Sequence, residues 1–99
     1  MVSLIQTFAD VSTGDIFHGS NTKAARTIPS ALWLAVRRKL DMVNAAEAVR
    51  DLRVPPNNRL EALKGQRAGA FSIRVNQQYR IAFRFENGHA FEVRCEDYH

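Results

Sequence analysis

Three segments between residues 70 and 96 alternate apolar with polar side chains, and this pattern constrains the fold more than any other feature. Successive side chains of a β-strand point to opposite faces, so a period of two is typical of strands with one buried face. The tripeptide Asn76-Gln77-Gln78 is a tight connection, and Asn87-Gly88 is the pair typical of a type I′ hairpin turn. The sequence therefore predicts three antiparallel strands at about 70–76, 79–86 and 89–96.

The predicted meander has one apolar face, which a second layer must cover. Upstream, apolar residues recur at steps of four, four and three along a helix at about 30–43, namely Leu32, Val36, Leu40 and Val43. We expect this helix to pack on the apolar face of the sheet, which would consist of Phe71, Ile73, Ile81, Phe83, Phe91 and Val93. With 99 residues the chain has material for one core. The prediction is therefore a single compact α+β domain over residues 1–99, mainly antiparallel sheet with two to three helices packed on one face.

Three further elements are predicted outside the meander. Residues 3–8 suit a short first strand, although their alternation is imperfect. Asp10 or Ser12 is expected to cap a short helix that ends at Gly19. Asn44 and Glu47 have the spacing of a capping box, which predicts another short helix that runs to about Leu52.

The basic residues are concentrated in one part of the chain. The formal charge is +4, and residues 59–80 contain five basic residues against one acidic residue. Alternation places four arginines on the polar face of the sheet, Arg74, Arg80, Arg84 and Arg94. One interpretation is a phosphate-rich partner lying across this face. The other is a solvated face on which Glu92 and Glu96 form cross-strand ion pairs with Arg84 and Arg94.

The chain ends in Asp97-Tyr98-His99, directly after the last predicted strand. A carboxylate, a phenol and an imidazole held together make an acid–base set, although the same residues also suit a polar tail. Cys95 has the apolar parity of its strand, so we expect a buried structural thiol. No cluster of metal ligands is present in the sequence, and we expect neither a metal nor another cofactor. The start of the chain has no targeting pattern, so we expect a cytoplasmic protein without a membrane partner.

Several short motifs follow one another over residues 58–99: Asn58-Arg59-Leu60-Glu61-Ala62-Leu63-Lys64-Gly65, Gly69, Ser72-Ile73-Arg74-Val75-Asn76, Tyr79-Arg80-Ile81-Ala82-Phe83 and Glu96-Asp97-Tyr98-His99. In order and spacing this series resembles the HigB toxins of the RelE superfamily. The resemblance implies a compact RelE-like fold and an mRNA endonuclease that acts in the ribosomal A site. It also implies a cognate helix-turn-helix antitoxin, similar to HigA, that silences the toxin.

The resemblance also implies a set of site residues. The catalytic set is Glu61, Arg80, Asp97, Tyr98 and His99, and some similar toxins have His where this chain has Glu61. Lys64 belongs to the same implied site. Together with the basic face, we expect the RNA-binding residues to be Lys64, Arg67, Arg74, Arg84, Arg37, Arg38 and Lys39. Arg80 and His99 are expected at the surface, where substitution costs little stability.

The chemistry of metal-free RNA cleavage leaves the roles of these residues partly open. The base for the 2′-OH is Glu61, or Asp97 together with His99. Arg80 and Lys64 would hold the phosphate oxygens, and His99 or Tyr98 would protonate the leaving oxygen. Tyr98 is alternatively a stacking platform for a base. The competing hypothesis is a non-catalytic protein, either a basic RNA-binding module or a gyrase-directed toxin of RelE-like fold.

Overall fold

The computed structural model describes residues 5–97, and its centre is a four-stranded antiparallel sheet with the strand order β1-β2-β3-β4. The helices are α1 (Val11–Phe17) and α2 (Trp33–Ala45), and the strands are β1 (Glu61–Ala62), β2 (Ala70–Arg74), β3 (Tyr79–Glu86) and β4 (His89–Asp97). Short 3₁₀ helices at Ala25–Thr27, Ser30–Leu32, Val49–Arg53, Pro56–Asn58 and Gly65–Arg67 lie in the connections. Within residues 5–97, no helix is both long enough and apolar enough to cross a membrane.

The predicted meander is confirmed, with small changes at its ends. β2 stops at Arg74, two residues early, and β4 continues to Asp97. Asn87 and Gly88 have φ values of 52° and 81°, as a type I′ turn requires. β1 is an additional edge strand that the sequence pattern did not predict, because two residues are too short to show a period.

The core lies between the sheet and α2, as the apolar stripe of that helix predicted. Val36, Leu40 and Val43 have no exposed surface, and they form one cluster with Ile73, Ile81, Phe83 and Val93. Burying an aliphatic or Phe side chain of this kind stabilises the fold by about 1.5–3 kcal/mol. Helices α1 and α2 contact each other, and α2 contacts both β3 and β4. The predicted α+β architecture with helices on one face is therefore confirmed.

The expected position of Phe91 on the helix-covered face was wrong, because β4 contains a β-bulge. Ala82 pairs with Arg94 but Arg84 pairs with Phe91, so one strand has an extra residue between these pairs. Glu92 has a φ of 53° at this point. A bulge reverses the side-chain parity on one side of it. Phe91 therefore shares the face of Arg84, and Ala90 takes its place in the core with 0% exposure.

The predicted first strand at 3–8 is not a regular strand in the residues that the structure describes, and residues 3 and 4 lie outside them. Instead, Ile5 and Phe8 form two isolated parallel bridges with Ala90 and Val93 of β4. The bulge interrupts the ladder between these bridges, since the Glu92 N–H donates to the hydroxyl of Thr7, at 2.8 Å, rather than to a carbonyl. A continuous ladder cannot form across that position.

The predicted helix start at Asp10 is confirmed, whereas the one at Asn44 was wrong. The Asp10 carboxylate accepts the Thr13 N–H at 2.9 Å and caps α1. Asn44 lies within α2, and its side chain accepts the N–H of Ile5 at 2.9 Å. The helix predicted from Asn44 to Leu52 is instead the 3₁₀ helix Val49–Arg53, and the Asp51 side chain stabilises its start.

The end of β4 is attached to α1 through a buried hydroxyl. Thr13 is fully buried, and its Oγ1 accepts the N–H of Cys95 at 2.8 Å. We expect Thr13→Val to lower the free energy of unfolding by about 1–3 kcal/mol, because the Cys95 N–H would stay buried without an acceptor. Thr13→Ser keeps the hydroxyl and serves as the control in urea unfolding. Equal losses in the two variants would contradict this role of the hydroxyl.

Candidate functional site

The face of the sheet that turns away from α2, called the outer face below, carries most of the charged residues of the candidate site. Three rows of cross-strand neighbours form it: Glu61–Ser72–Ala82–Arg94, Arg74–Arg80–Glu96 and Ala70–Arg84–Phe91. The predicted orientation of the four arginines away from the helices is therefore confirmed. The outer face brings Glu61, Arg74, Arg80 and Arg84 together on adjacent strands.

Arg80 lies in the middle row of the outer face and is only 6% exposed, so the expectation of a surface position was wrong. Its Nε donates to Ser72 Oγ at 2.8 Å, and its Nη2 donates to the Arg59 carbonyl at 2.8 Å. The segment before β1 thus passes over the guanidinium and removes it from solvent. These bonds fix the planar group in one orientation, as a preorganised phosphate-binding cation requires.

Glu61 faces Arg80 from the edge strand β1. Its Oε1 lies 3.8 Å from Arg80 Nη2, and about half of its side chain is exposed, 45%. β1 pairs with β2 so that Glu61 lies opposite Ser72, the residue that accepts from Arg80 Nε. An exposed carboxylate and a largely buried, fixed guanidinium are therefore neighbours on the outer face, where the first can accept a proton and the second can stabilise an anion.

Glu96 partly neutralises the arginines at the β4 side of the outer face. Arg67 donates to both Glu96 oxygens, at 2.8 and 2.9 Å, and Arg94 Nε lies 3.4 Å from Oε1. The hydrogen bonds to Glu96 raise the pKa of the Arg67 guanidinium above its ordinary value. Arg84 Nε lies 3.6 Å from the exposed carboxylate of Glu92. The predicted cross-strand pair of Arg84 is thus present, whereas Arg94 pairs with Glu96 within β4 rather than across strands, and Arg67 also pairs with Glu96.

The helix cations divide between two places. Arg37 and Arg38 are exposed on α2, which covers the opposite face of the sheet, so they do not join the outer face. Lys39 is half-buried and lies beside Arg59 and Arg74, at the edge of the site. Lys64 is exposed in the connection between β1 and β2.

The structure describes only the first of the three residues in the predicted C-terminal acid–base set. Asp97 is the last residue of β4, pairs with Tyr79 and accepts from Gln78 Nε2 at 3.1 Å. Tyr98 and His99 lie outside the described residues. The neighbouring Cys95 is buried, and burial raises the pKa of its thiol to about 12, with smaller contributions from Asp10 and Glu96. This agrees with a structural thiol rather than a nucleophile.

Ser72 and the Arg59 carbonyl are the site groups that sequence reasoning missed. Ser72 is 1% exposed and positions the Arg80 guanidinium. The strand register contained a signal for it, because Ser72 pairs with Ala82 and is therefore a diagonal neighbour of Arg80. No comparable signal exists for Arg59, whose carbonyl comes from an irregular segment.

The chain matches the family model of HigB-like toxins, described as the RelE-like toxin of the type II toxin–antitoxin system HigB, over residues 6–99. It is 50% identical to Toxin HigB-1 of Vibrio cholerae over 71 residues, which are 72% of this chain and 75% of that protein. It is 49% identical to the Endoribonuclease HigB of Proteus vulgaris over 41 residues, 41% of this chain and 45% of that one.

Two solved structures share the fold at low sequence identity. A YoeB/ParE toxin from Agrobacterium tumefaciens aligns with a TM-score of 0.55 and 15% identity, covering 96% of this chain and 100% of that one. A chain of the YoeB–YefM complex from Staphylococcus aureus aligns with a TM-score of 0.59 and 14% identity, covering 98% and 99%. At these identities the similarity establishes the architecture alone.

Proposed function

Because this chain belongs to the HigB-like family of RelE-like toxins, we propose that it is an endoribonuclease that cleaves mRNA in the ribosomal A site. The observation that carries the proposal is the buried Arg80 guanidinium, held by Ser72 and by the Arg59 carbonyl and facing the Glu61 carboxylate. The partial match to a relative named Endoribonuclease HigB supports the same activity. A protein that acts on translating ribosomes would work in the cytoplasm.

The proposed reaction uses the 2′-OH of the substrate as nucleophile and no metal. Intramolecular attack on the adjacent phosphate gives a 2′,3′-cyclic phosphate and a 5′-hydroxyl, and the fixed geometry of the RNA supplies part of the rate. Arg80 and Lys64 would stabilise the charge that develops on the phosphate oxygens. Glu61, or Asp97 together with His99, would accept the 2′-OH proton. His99 or Tyr98 would donate a proton to the leaving 5′-oxygen.

The remaining cations are proposed to bind the RNA that surrounds the reaction. Arg74 lies on the outer face opposite Arg80, on the neighbouring strand. Arg84 lies on the same face and on the same strand as Arg80. Arg67 would contribute the part of its side chain that stays exposed beside Glu96, and Arg37 and Arg38 would contact ribosomal RNA from α2. Tyr98 is also proposed as a stacking surface for a nucleobase.

The partner that silences this toxin is proposed to be a helix-turn-helix antitoxin similar to HigA. The family consists of toxins of type II toxin–antitoxin systems, and one structural neighbour comes from a complex named YoeB–YefM. A small gene for a helix-turn-helix protein beside the gene of this chain would support the assignment.

Production of the protein in growing cells separates nuclease from the other candidate activities. We expect growth arrest with rapid loss of translated transcripts, because the proposed substrate is mRNA on the ribosome. A gyrase-directed toxin would instead induce the DNA-damage response while transcripts stay intact. An RNA-binding protein without catalytic activity would leave both readouts near those of the empty vector. Either of the last two results would contradict the proposed function.

A further inference from the structure

A basic pocket of about 430 Å³ lies beside the outer face, between α2, the segment before β1 and the end of β2. It is lined by Lys39, Pro56, Asn57, Arg59, Arg74 and Val75. All of its charged side chains are cations. In the part of the chain that the structure describes, no carboxylate lies within ion-pair distance of any of the three. The pocket therefore has the charge of an anion site.

Lys39 is held in this pocket by a buried amide. Its Nζ donates to Asn58 Oδ1 at 2.6 Å, and Asn58 is 0% exposed. The Asn58 amide nitrogen in turn donates to the Leu52 carbonyl at 3.1 Å. Burial lowers the pKa of the Lys39 ammonium, because desolvation penalises the charged form. A bound anion would offset this penalty, which a solvated surface lysine does not carry.

The pocket is connected to Arg80 through two residues. Arg74 is the direct cross-strand neighbour of Arg80, and its Nε donates to the Asn76 carbonyl at 3.1 Å. Arg59 contributes its carbonyl to the Arg80 guanidinium and also lines the pocket. An anion in the pocket would therefore lie close to an anion at Arg80, as successive groups along one RNA backbone do.

We propose that the pocket formed by Lys39, Arg59 and Arg74 binds the RNA phosphate that neighbours the one held at Arg80. This rests on the proposed function, since the phosphate at Arg80 is taken to be the scissile one. The proposal separates Lys39 from Arg37 and Arg38, which are exposed on α2 away from the outer face. In this proposal Lys39 binds the RNA substrate directly, and the contact does not require the ribosome.

The test is binding of a short fluorescent RNA whose 2′-hydroxyls are methylated, so that it cannot be cleaved. Each phosphate contact to single-stranded RNA contributes about 0.7 to the slope of log affinity against log salt. We expect Lys39→Gln to reduce the slope by about 0.7 and the affinity by about tenfold at low salt. Lys23→Gln changes an exposed lysine in the connection between α1 and α2, outside every residue set assigned to the site, and as the matched control it should leave both values unchanged.

Lys39→Arg should restore the wild-type slope, because it keeps the cation. If Lys39→Gln does not fold, Arg59→Gln replaces it, since the Arg59 side chain is exposed and should reduce the slope equally. An unchanged slope in the folded variant would overturn the proposal. The proposal is also wrong if Lys39→Gln binds RNA as the wild type does and has lost only the binding of inorganic phosphate, followed by NMR, or only the binding of the antitoxin.

Cleavage is scored separately on ribosome-bound mRNA, which distinguishes the two proposals. If the wild-type protein cleaves and Lys39→Gln has an unchanged slope, only the assignment of the pocket is wrong. If the wild-type protein never cleaves and Lys39→Gln shows the expected decrease in slope, the pocket remains an RNA site and the proposed nuclease activity is wrong.

Discussion

Deletion of His99 is expected to slow cleavage of ribosome-bound mRNA by about 10²–10⁴-fold, the usual cost of losing one acid–base group. Imidazole is the side chain whose ordinary pKa lies nearest to physiological pH, so it can either accept the 2′-OH proton or donate one to the leaving 5′-oxygen. Asp97, two residues before it, pairs with Tyr79, and Tyr79 directly precedes Arg80. The measurement is the single-turnover rate on programmed ribosomes, with thermal melts of both proteins.

His89→Ala is the matched control, because it removes the same side chain from the opposite end of β4. Among the described residues, the imidazole of His89 forms one hydrogen bond, at 3.4 Å to the amide of the exposed Gln6. We expect the His89 variant to retain the wild-type rate. A folded chain without His99 that also cleaves at that rate would contradict the proposed acid–base role.

Glu61→Gln decides between the two candidate bases. It removes the carboxylate that faces Arg80 while keeping its shape. If Glu61 accepts the 2′-OH proton, the variant should lose about 10²–10⁴-fold in rate. If the rate is unchanged, the base is Asp97 with His99, or a group of the ribosome.

Arg80→Ala is the second substitution with a large expected effect, and it should reduce both activity and stability. Loss of one preorganised group that stabilises transition-state charge costs about 10²–10³-fold in rate. The buried Ser72 hydroxyl and the Arg59 carbonyl would also lose a donor, which costs about 1–3 kcal/mol of stability. For a domain of this size, each 1 kcal/mol lowers the Tm by about 4–8 °C. Cleavage is therefore measured well below the Tm of the variant.

Two other variants separate charge from position at Arg80. Arg84→Ala removes a guanidinium from the same strand and face, but one paired only with the exposed Glu92 among the described residues. We expect Arg84→Ala to lose less than about tenfold in cleavage rate and to keep the wild-type Tm, because an exposed ion pair contributes little stability. Ser72→Ala keeps the Arg80 charge but removes the acceptor for its Nε, so it should give an intermediate rate. An Arg80→Ala protein with wild-type activity would contradict the proposed site.

The sequence predicted the elements whose patterns are long enough to read. The alternation from Phe71 to Cys95 spans three strands, and the stripe from Leu32 to Val43 spans three helical turns. Both patterns repeat over many residues, so several residues together indicate the same backbone geometry. Phe91 was misplaced because a single left-handed residue, Glu92, reverses the parity, and nothing in its side chain marks the bulge.

The candidate site was predicted by residue type but not by environment. Arg80 was selected from its position on the polar face, yet its burial arises from a segment 21 residues earlier that passes over it. Arg67 was expected to bind RNA from its charge alone, and its bidentate pairing with Glu96 depends on how the β1–β2 connection lies against β4. Such long-range contacts between irregular segments leave no periodic signal in a sequence.

Cleavage of mRNA on the ribosome by attack of the 2′-OH is the activity proposed for this chain. The most direct measurement maps the cut and its end groups on a defined mRNA bound to purified ribosomes, with a chelator present. We predict a single cut in the A-site codon, with a 2′,3′-cyclic phosphate on one product and a 5′-hydroxyl on the other. The Arg80→Ala protein should give no cut on the same timescale. Intact mRNA with the wild-type protein, or products with a 5′-phosphate, would contradict the proposed reaction.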